Sequence, residues 1–152
     1  MAGVMKPAPS AHPTRTPPRW RVWATAPALH WLGLLLLCAA YLQGGLNKLT
    51  DFGGAVAEMQ HFGLSPAAPL AAAVILGELG AALLVLSGRL RWLGALGLAL
   101  FTVAATCVAN RYWQMQGMER FMAANSFYEH LGLAGAFLLV AWHDLRTPQE
   151  GR

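Results

Sequence analysis

The sequence predicts an all-α fold, a bundle of four transmembrane helices with both termini in the cytoplasm. Three observations carry that expectation. Of the 152 residues 56% are hydrophobic and only 12% charged, with a mean hydropathy of +0.42, the balance of an integral membrane protein rather than a soluble domain. Apolar runs of bilayer length recur at residues 26–48, 66–87, 91–110 and 125–143. Of the 11 Lys and Arg residues, Lys6, Arg15, Arg19, Arg21, Arg89, Arg91, Arg146 and Arg152 fall on one side of those runs, and only Lys48, Arg111 and Arg120 on the other. The positive-inside rule makes the richer side cytoplasmic.

Taken in order, residues 1–25 read as a disordered, basic, proline-rich tail with almost nothing to bury. A basic stretch ahead of an apolar one could be a signal peptide, but the run continues to Leu46, and Leu37 stands before Cys38 where a lipoprotein cleavage site wants a small residue. The first span therefore reads as an uncleaved anchor. Residues 26–145 form the membrane domain and 146–152 a short cytoplasmic tail. Trp20, Trp23, Trp31, Trp92 and Trp142 then fall near the inner interface, with Tyr112 and Trp113 at the outer one.

Small residues at four-residue spacing predict the packing faces: Ala40 and Gly44, then Ala73, Gly77 and Ala81, then Ala95 and Ala99, then Gly132 and Ala136. In the first outer loop Asp51 is a natural N-cap. Phe52, Val56 and Met59 share a helical face before Gly63, which predicts a short amphipathic helix on the outer leaflet. The second outer loop, residues 111–124, carries Met115, Met118 and Met122 beside Phe121.

The second span holds one ionisable side chain, Glu78. At about 1.5 Å per residue, residues 66–86 cover roughly 30 Å, so Glu78 lies far from water and must be protonated or face a partner within the bundle. Glu78 is the candidate proton-exchanging residue. Gln43, Asn47, Lys48, Arg111, Glu129 and His130 converge on the outer half of the other spans and are the candidate ligand-binding residues, a set suited to a small polar head group or a proton path. Taken singly, Lys48, Arg111, Glu129 and His130 are also what snorkelling side chains at an interface look like. A direct Lys48 to Glu78 pair requires the outer loop to dip inward, since Lys48 closes its span; Tyr41, Gln43 and Thr102 are nearer in depth. Arg111 and Glu129 are the easier salt bridge.

Several classes are excluded or weakened. The positive charge forms no basic stripe interleaved with aromatics, so nucleic acid is not a partner. Cys38 and Cys107 make no C-x-x-C and read as buried structural thiols, which removes thiol-oxidoreductase and covalent haem sites. His30 and His143 share the inner end while His130 is at the outer one, a poor arrangement for haem. Met115, Met118 and Met122 are weak candidates for periplasmic Cu(I) handling; a lipid-facing or partner-facing stripe explains their spacing as well. No flavin, nicotinamide or iron–sulfur motif is present, so no cofactor is intrinsic and any redox partner is another subunit or a diffusible quinone.

The run GGLNKLTDF (Gly44 to Phe52), the amphipathic loop closing at Gly63 and Pro66, Glu78 within GELGAALLVLSGRLR, and Asp144 after the last span resemble the DoxX family over residues 31–145. The resemblance implies a bacterial inner-membrane four-helix protein associated with oxidoreductase systems, such as membrane subunits of quinone-linked sulfur oxidation and proteins assembling with thiol-related or superoxide-detoxifying enzymes. It implies the bilayer and other membrane or periplasmic subunits as partners. The function expected is that of a subunit that presents a quinone head group near the outer face without being an enzyme alone. The alternative is a non-catalytic accessory or scaffold subunit of a larger membrane complex.

Overall fold

The computed structural model describes residues 19–146, and within them every regular element is helical. Residues 1–18 and 147–152, and with them most of the expected tails, lie outside the described residues. The inner part of the N-terminal tail departs from expectation: Arg19–Ala24 forms a short helix, α1.

Pro27 at the first turn of α2 (Pro27–Thr50) uses a position where a missing N–H costs nothing. The helix α3 (Phe52–His61) is capped by Asp51, whose Oδ1 accepts from the Gly54 amide at 2.9 Å. It ends at Gly63, φ +71°, where the Leu64 amide donates to the Met59 carbonyl. Next, α4 (Ala67–Ser87) closes on Gly88 at φ +75° and turns directly into α5 (Arg91–Ala109). A short 3-10 turn, Tyr112–Gln114, leads to α6 (Gly117–Arg146).

Each long helix buries one seam at alternating three- and four-residue spacing, the pattern of helices packed nearly side by side. On α2 the seam is Leu34, Cys38, Tyr41 and Gly45; on α4 it is Ala71, Ile75, Glu78, Ala82 and Val85. On α5 it includes Ala95, Leu98, Thr102 and Thr106, and on α6 Ala134, Phe137, Ala141 and Asp144. The helices pack in series, α2 on α4, α4 on α5 and α5 on α6, with α3 laid on α4. Tyr41 extends from α2 to stand edge-on to both Phe101 and Phe137, joining the two ends of that series.

The small-residue faces are where expectation needs correcting. Ala95 and Ala99 are buried as expected, but Gly77 and Gly132 are exposed, with nothing within 4 Å of a Cβ built on either. The close approaches occur elsewhere. A Cβ on Gly45 would meet Leu79 at 2.8 Å, and one on Gly94 would meet the Ala81 carbonyl oxygen at 2.5 Å. The Gly94 contact is with backbone, an approach that glycine alone permits, whereas the Gly45 contact is with the Leu79 side chain.

Three further expectations change. Residues 117–124 are helix rather than loop, because Glu119 suits a first turn and Ala123 and Ala124 are strong helix formers. Of the two cysteines, Cys38 is buried but Cys107 is exposed. The inward face of α3 is Ala55 and Met59, with Phe52 44% exposed.

Among the described residues three helical stretches, Pro27–Thr50, Ala67–Ser87 and Arg91–Gln114, are long and apolar enough to cross a membrane, against the four expected. The 30 residues of α6 exceed a bilayer span in length, but Glu129 and His130 in one half and His143, Asp144 and Arg146 at its end lower its hydropathy.

At the α4–α5 turn the chain satisfies its own helix ends. Arg91 Nε donates to the Val85 carbonyl at 3.0 Å, and the Trp92 amide donates to Asp144 Oδ2 at 3.1 Å. Buried Asp144, 4.0 Å from Arg91 Nη1, thus caps α5 from α6.

Candidate functional site

The site follows from extending the seams by one step towards the α3 end. One turn beyond Gly45 on α2 comes Lys48; one turn before Ala134 on α6 comes His130; Glu78 is itself a seam residue of α4, and Thr102 of α5. Positions that are apolar in the middle of the molecule become polar at one end, so their side chains converge.

Lys48 and Glu78 do pair. Lys48 Nζ lies 3.7 Å from Glu78 Oε1 and also 3.7 Å from Oε2 of Glu58, a residue of α3 that sequence reasoning passed over. The side chain of Glu78 is 8% exposed, that of Lys48 19% and that of Glu58 44%.

Relative depth explains the pairing. Glu78 stands about 17 Å along α4 from Ala67, yet a Cβ on Gly45 would touch the Glu78 Cβ at 3.3 Å. The end of α2 is therefore level with the middle of α4. Above it α3 fills the space, with Ala55 and Met59 packed against Ala71 and flanked by Val74. The segment joining α2 to α4 is thus folded against α4, which brings the end of α2 down to Glu78 as the pair requires. Glu58 escaped notice because its sequence neighbours mark it as one polar residue on a loop helix; only the inward tilt brings it to Lys48.

A cavity of about 460 Å³ opens beside this cluster. Its polar lining comes from Tyr41, Lys48, Glu58, Glu78, Thr102 and His130, and its apolar walls include Met59, Val74, Phe101 and Leu133. Tyr41 and Thr102 are occupied with each other through a buried hydrogen bond, and Thr102 donates to the Leu98 carbonyl. Neither is the partner of Glu78 that their depth suggested. His130 donates from Nδ1 to the Ser126 carbonyl. Glu78 Oε2 is buried and meets no hydrogen-bond donor among the described residues.

The remaining sequence candidates separate from this cluster. Gln43 and Asn47 are exposed and line a second, open groove of about 570 Å³ on the other side of Lys48. Arg111 and Glu129 are exposed and form no ion pair with each other; Arg111 Nε donates instead to the Val108 carbonyl at 3.1 Å. Arg111 thus bonds the local backbone and Glu129, about three turns into α6, is left exposed, in place of the expected bridge. Met118 and Met122 are 71% and 63% exposed on the first turns of α6, whereas Met115 precedes that helix, so the three thioethers do not share one helical face. Around Tyr112 the rings of Trp113, Phe127 and Tyr128 stack edge-on or tilted into an aromatic cluster at the same end.

With this geometry in view, comparison with known proteins is informative. The DoxX family model matches residues 29–111, covering α2 to α5 with Lys48, Glu58 and Glu78. The chain belongs to the DoxX family. It is similar to the inner membrane protein YphA of Escherichia coli (strain K12), with 28% identity over 119 residues, 78% of this chain and 84% of that one. No solved structure gives a significant match. This DoxX protein is accordingly a multi-pass protein of the inner membrane, with the lipid bilayer as its surroundings. The matched stretch ends at Arg111, so His130 and Asp144 join the site and the α5 cap through the tertiary structure of this chain.

Proposed function

We propose that this DoxX protein is a four-span membrane subunit of a redox complex, with both termini cytoplasmic, that holds a quinone head group in the cavity beside Glu78. The observation that carries the reading is Glu78 Oε2, a buried carboxylate oxygen lacking a donor at the edge of a cavity with apolar walls. Burial of an unmatched acceptor costs about 1–3 kcal/mol, a cost that a bound donor relieves. A quinol hydroxyl is such a donor. In the oxidised form the corresponding carbonyl accepts from the Lys48 ammonium, and Phe101, Val74 and Leu133 receive the ring and the start of the isoprenoid tail.

Reduction of the quinone takes up two electrons and two protons. The electrons come from a partner subunit, since this chain has no redox motif of its own. Glu78 delivers protons, and Lys48 stabilises negative charge developing on the quinone oxygen. Arg111, Glu129, Gln43 and Asn47 have no part in this arrangement.

Quinone titration of the purified protein and of Glu78→Gln tests the proposal. Binding is expected to weaken by roughly tenfold or more, because the charged acceptor supplies about 1.5–3 kcal/mol through its hydrogen bond. Unchanged affinity and unchanged electron transfer in the assembled complex would remove the role. If instead Glu78→Gln lowers assembly while turnover per assembled complex stays constant, the accessory-subunit reading holds, with the exposed aromatic and methionine surface near Tyr112 and Met118 as the docking face.

A further inference from the structure

The polar groove and the largely apolar cavity share one wall. Gly44, Lys48 and Glu58 line both. On the groove side the lining is polar: Gln43, Asn47, Thr50 and Asp51 join these three. On the cavity side stands Glu78, 8% exposed, with Lys48 Nζ as its link to Glu58, which is 44% exposed. Two carboxylates at very different depths therefore contact one ammonium group, which sits in the partition between aqueous groove and lipophilic cavity.

We infer that the groove is the proton port of the cavity, and that Glu58, Lys48 and Glu78 form a relay carrying protons between water and the buried site. The inference rests on Glu78 being the proton-exchanging group, and not on the ligand being a quinone. In one passage an N–H bond of the Lys48 ammonium breaks as an O–H bond forms on the Glu78 carboxylate. The neutral amine then takes the proton that Glu58 has picked up from hydronium in the groove, and Glu58 returns to its carboxylate. One proton has moved inward and no group other than Glu78 has changed its state.

The other polar groups facing the relay are Tyr41 on α2, Thr102 on α5 and His130 on α6. Tyr41 and Thr102 are engaged with each other, and His130 lies among the cavity-lining residues without touching the groove. Asp51, in the groove, is held by the Gly54 amide as the cap of α3. Glu58 is thus the acidic side chain common to both spaces. Gly44 stands beside the relay in the shared wall: a Cβ there would lie 3.6 Å from Glu78 Oε2 and 3.8 Å from Lys48 Nζ, ordinary contact distances, so alanine fits and a longer side chain presses between the two groups.

The test uses the full-length protein in vesicles oriented with the α3 end outward. It follows the infrared carbonyl band of protonated Glu78, assigned by its loss in Glu78→Gln. The band is expected to rise after a drop in external pH and to ignore internal pH. Glu58→Gln is expected to slow that rise by about a hundredfold, the lower range for a positioned proton-transfer group, measured after a jump to a pH at which the band is complete in both proteins. Glu58→Asp is expected to restore most of the rate, which a purely structural role would not require. Gly44→Leu is expected to abolish the external response.

A band that follows internal pH overturns the inference. So does an unchanged rate in both Glu58→Gln and Gly44→Leu, or the absence of any Glu78 band down to the lowest pH at which the fold survives. Quinone binding measured on the same vesicles separates the two readings: an intact relay without quinone binding keeps the port and retires that ligand.

Discussion

Lys48 is the residue on which the site's electrostatics turn, because it faces Glu58 and Glu78 at the same 3.7 Å. Removing it leaves the buried Glu78 without a countercharge, whereas exposed Glu58 is rehydrated. Lys48→Met is therefore expected to destabilise the protein by about 3–5 kcal/mol, the usual cost of stripping one partner from a buried pair. The double variant Lys48→Met with Glu78→Gln should recover much of that loss, since no unmatched charge remains. Denaturant titration in micelles measures both. If the two variants are equally unstable, the Lys48–Glu78 pair is not what the lysine contributes.

At the scale of elements, stability depends on which glycines separate helix backbones. Gly94 allows α5 to lie against Ala81 and Leu84 of α4, where a Cβ would sit 2.5 Å from a carbonyl oxygen and 2.8 Å from another Cβ. Gly94→Ala is expected to cost about 1–3 kcal/mol through overpacking, and to lower the thermal unfolding temperature in detergent. Gly77→Ala should be neutral, or stabilise by up to about 1 kcal/mol, because nothing lies within 4 Å and alanine is the better helix former. The reverse order of effects would mean that the α4 seam runs through Gly77. On the seam described here, Glu78 occupies a register position between Ile75 and Ala82.

For the whole molecule, the open question of function is how α6 sits in the bilayer. It packs along α5, supplies His130 to the cavity and caps α5 through Asp144. The four-span topology proposed above has α6 cross beside α5, although its composition alone is too polar to qualify. A fluorescent protein fused to the C-terminus is expected to fold and fluoresce, and a periplasm-dependent phosphatase at the same point to be inactive. Phosphatase activity there would place the two termini on opposite sides and require an odd number of crossings.

The all-helical class, the boundaries of α2, α4 and α5 to within about two residues and the burial of Glu78 were all written in the sequence. Each follows from a local quantity: the length of an apolar run, a cap such as Asp51, a glycine such as Gly88, or the cost of a lone carboxyl far from water. What the carboxyl faces was not local. The match of Lys48 to Glu78 depends on α2 ending level with the middle of α4 and on α3 folding in above it, an offset set by Gly45 against Leu79 and by Ala55 and Met59 against Ala71. Periodicity places a side chain on a face of its own helix, but only packing fixes the relative height and rotation of two helices. For that reason it is packing that brings Glu58 and His130 to the cavity beside Glu78 and leaves Arg111 and Glu129 outside its lining.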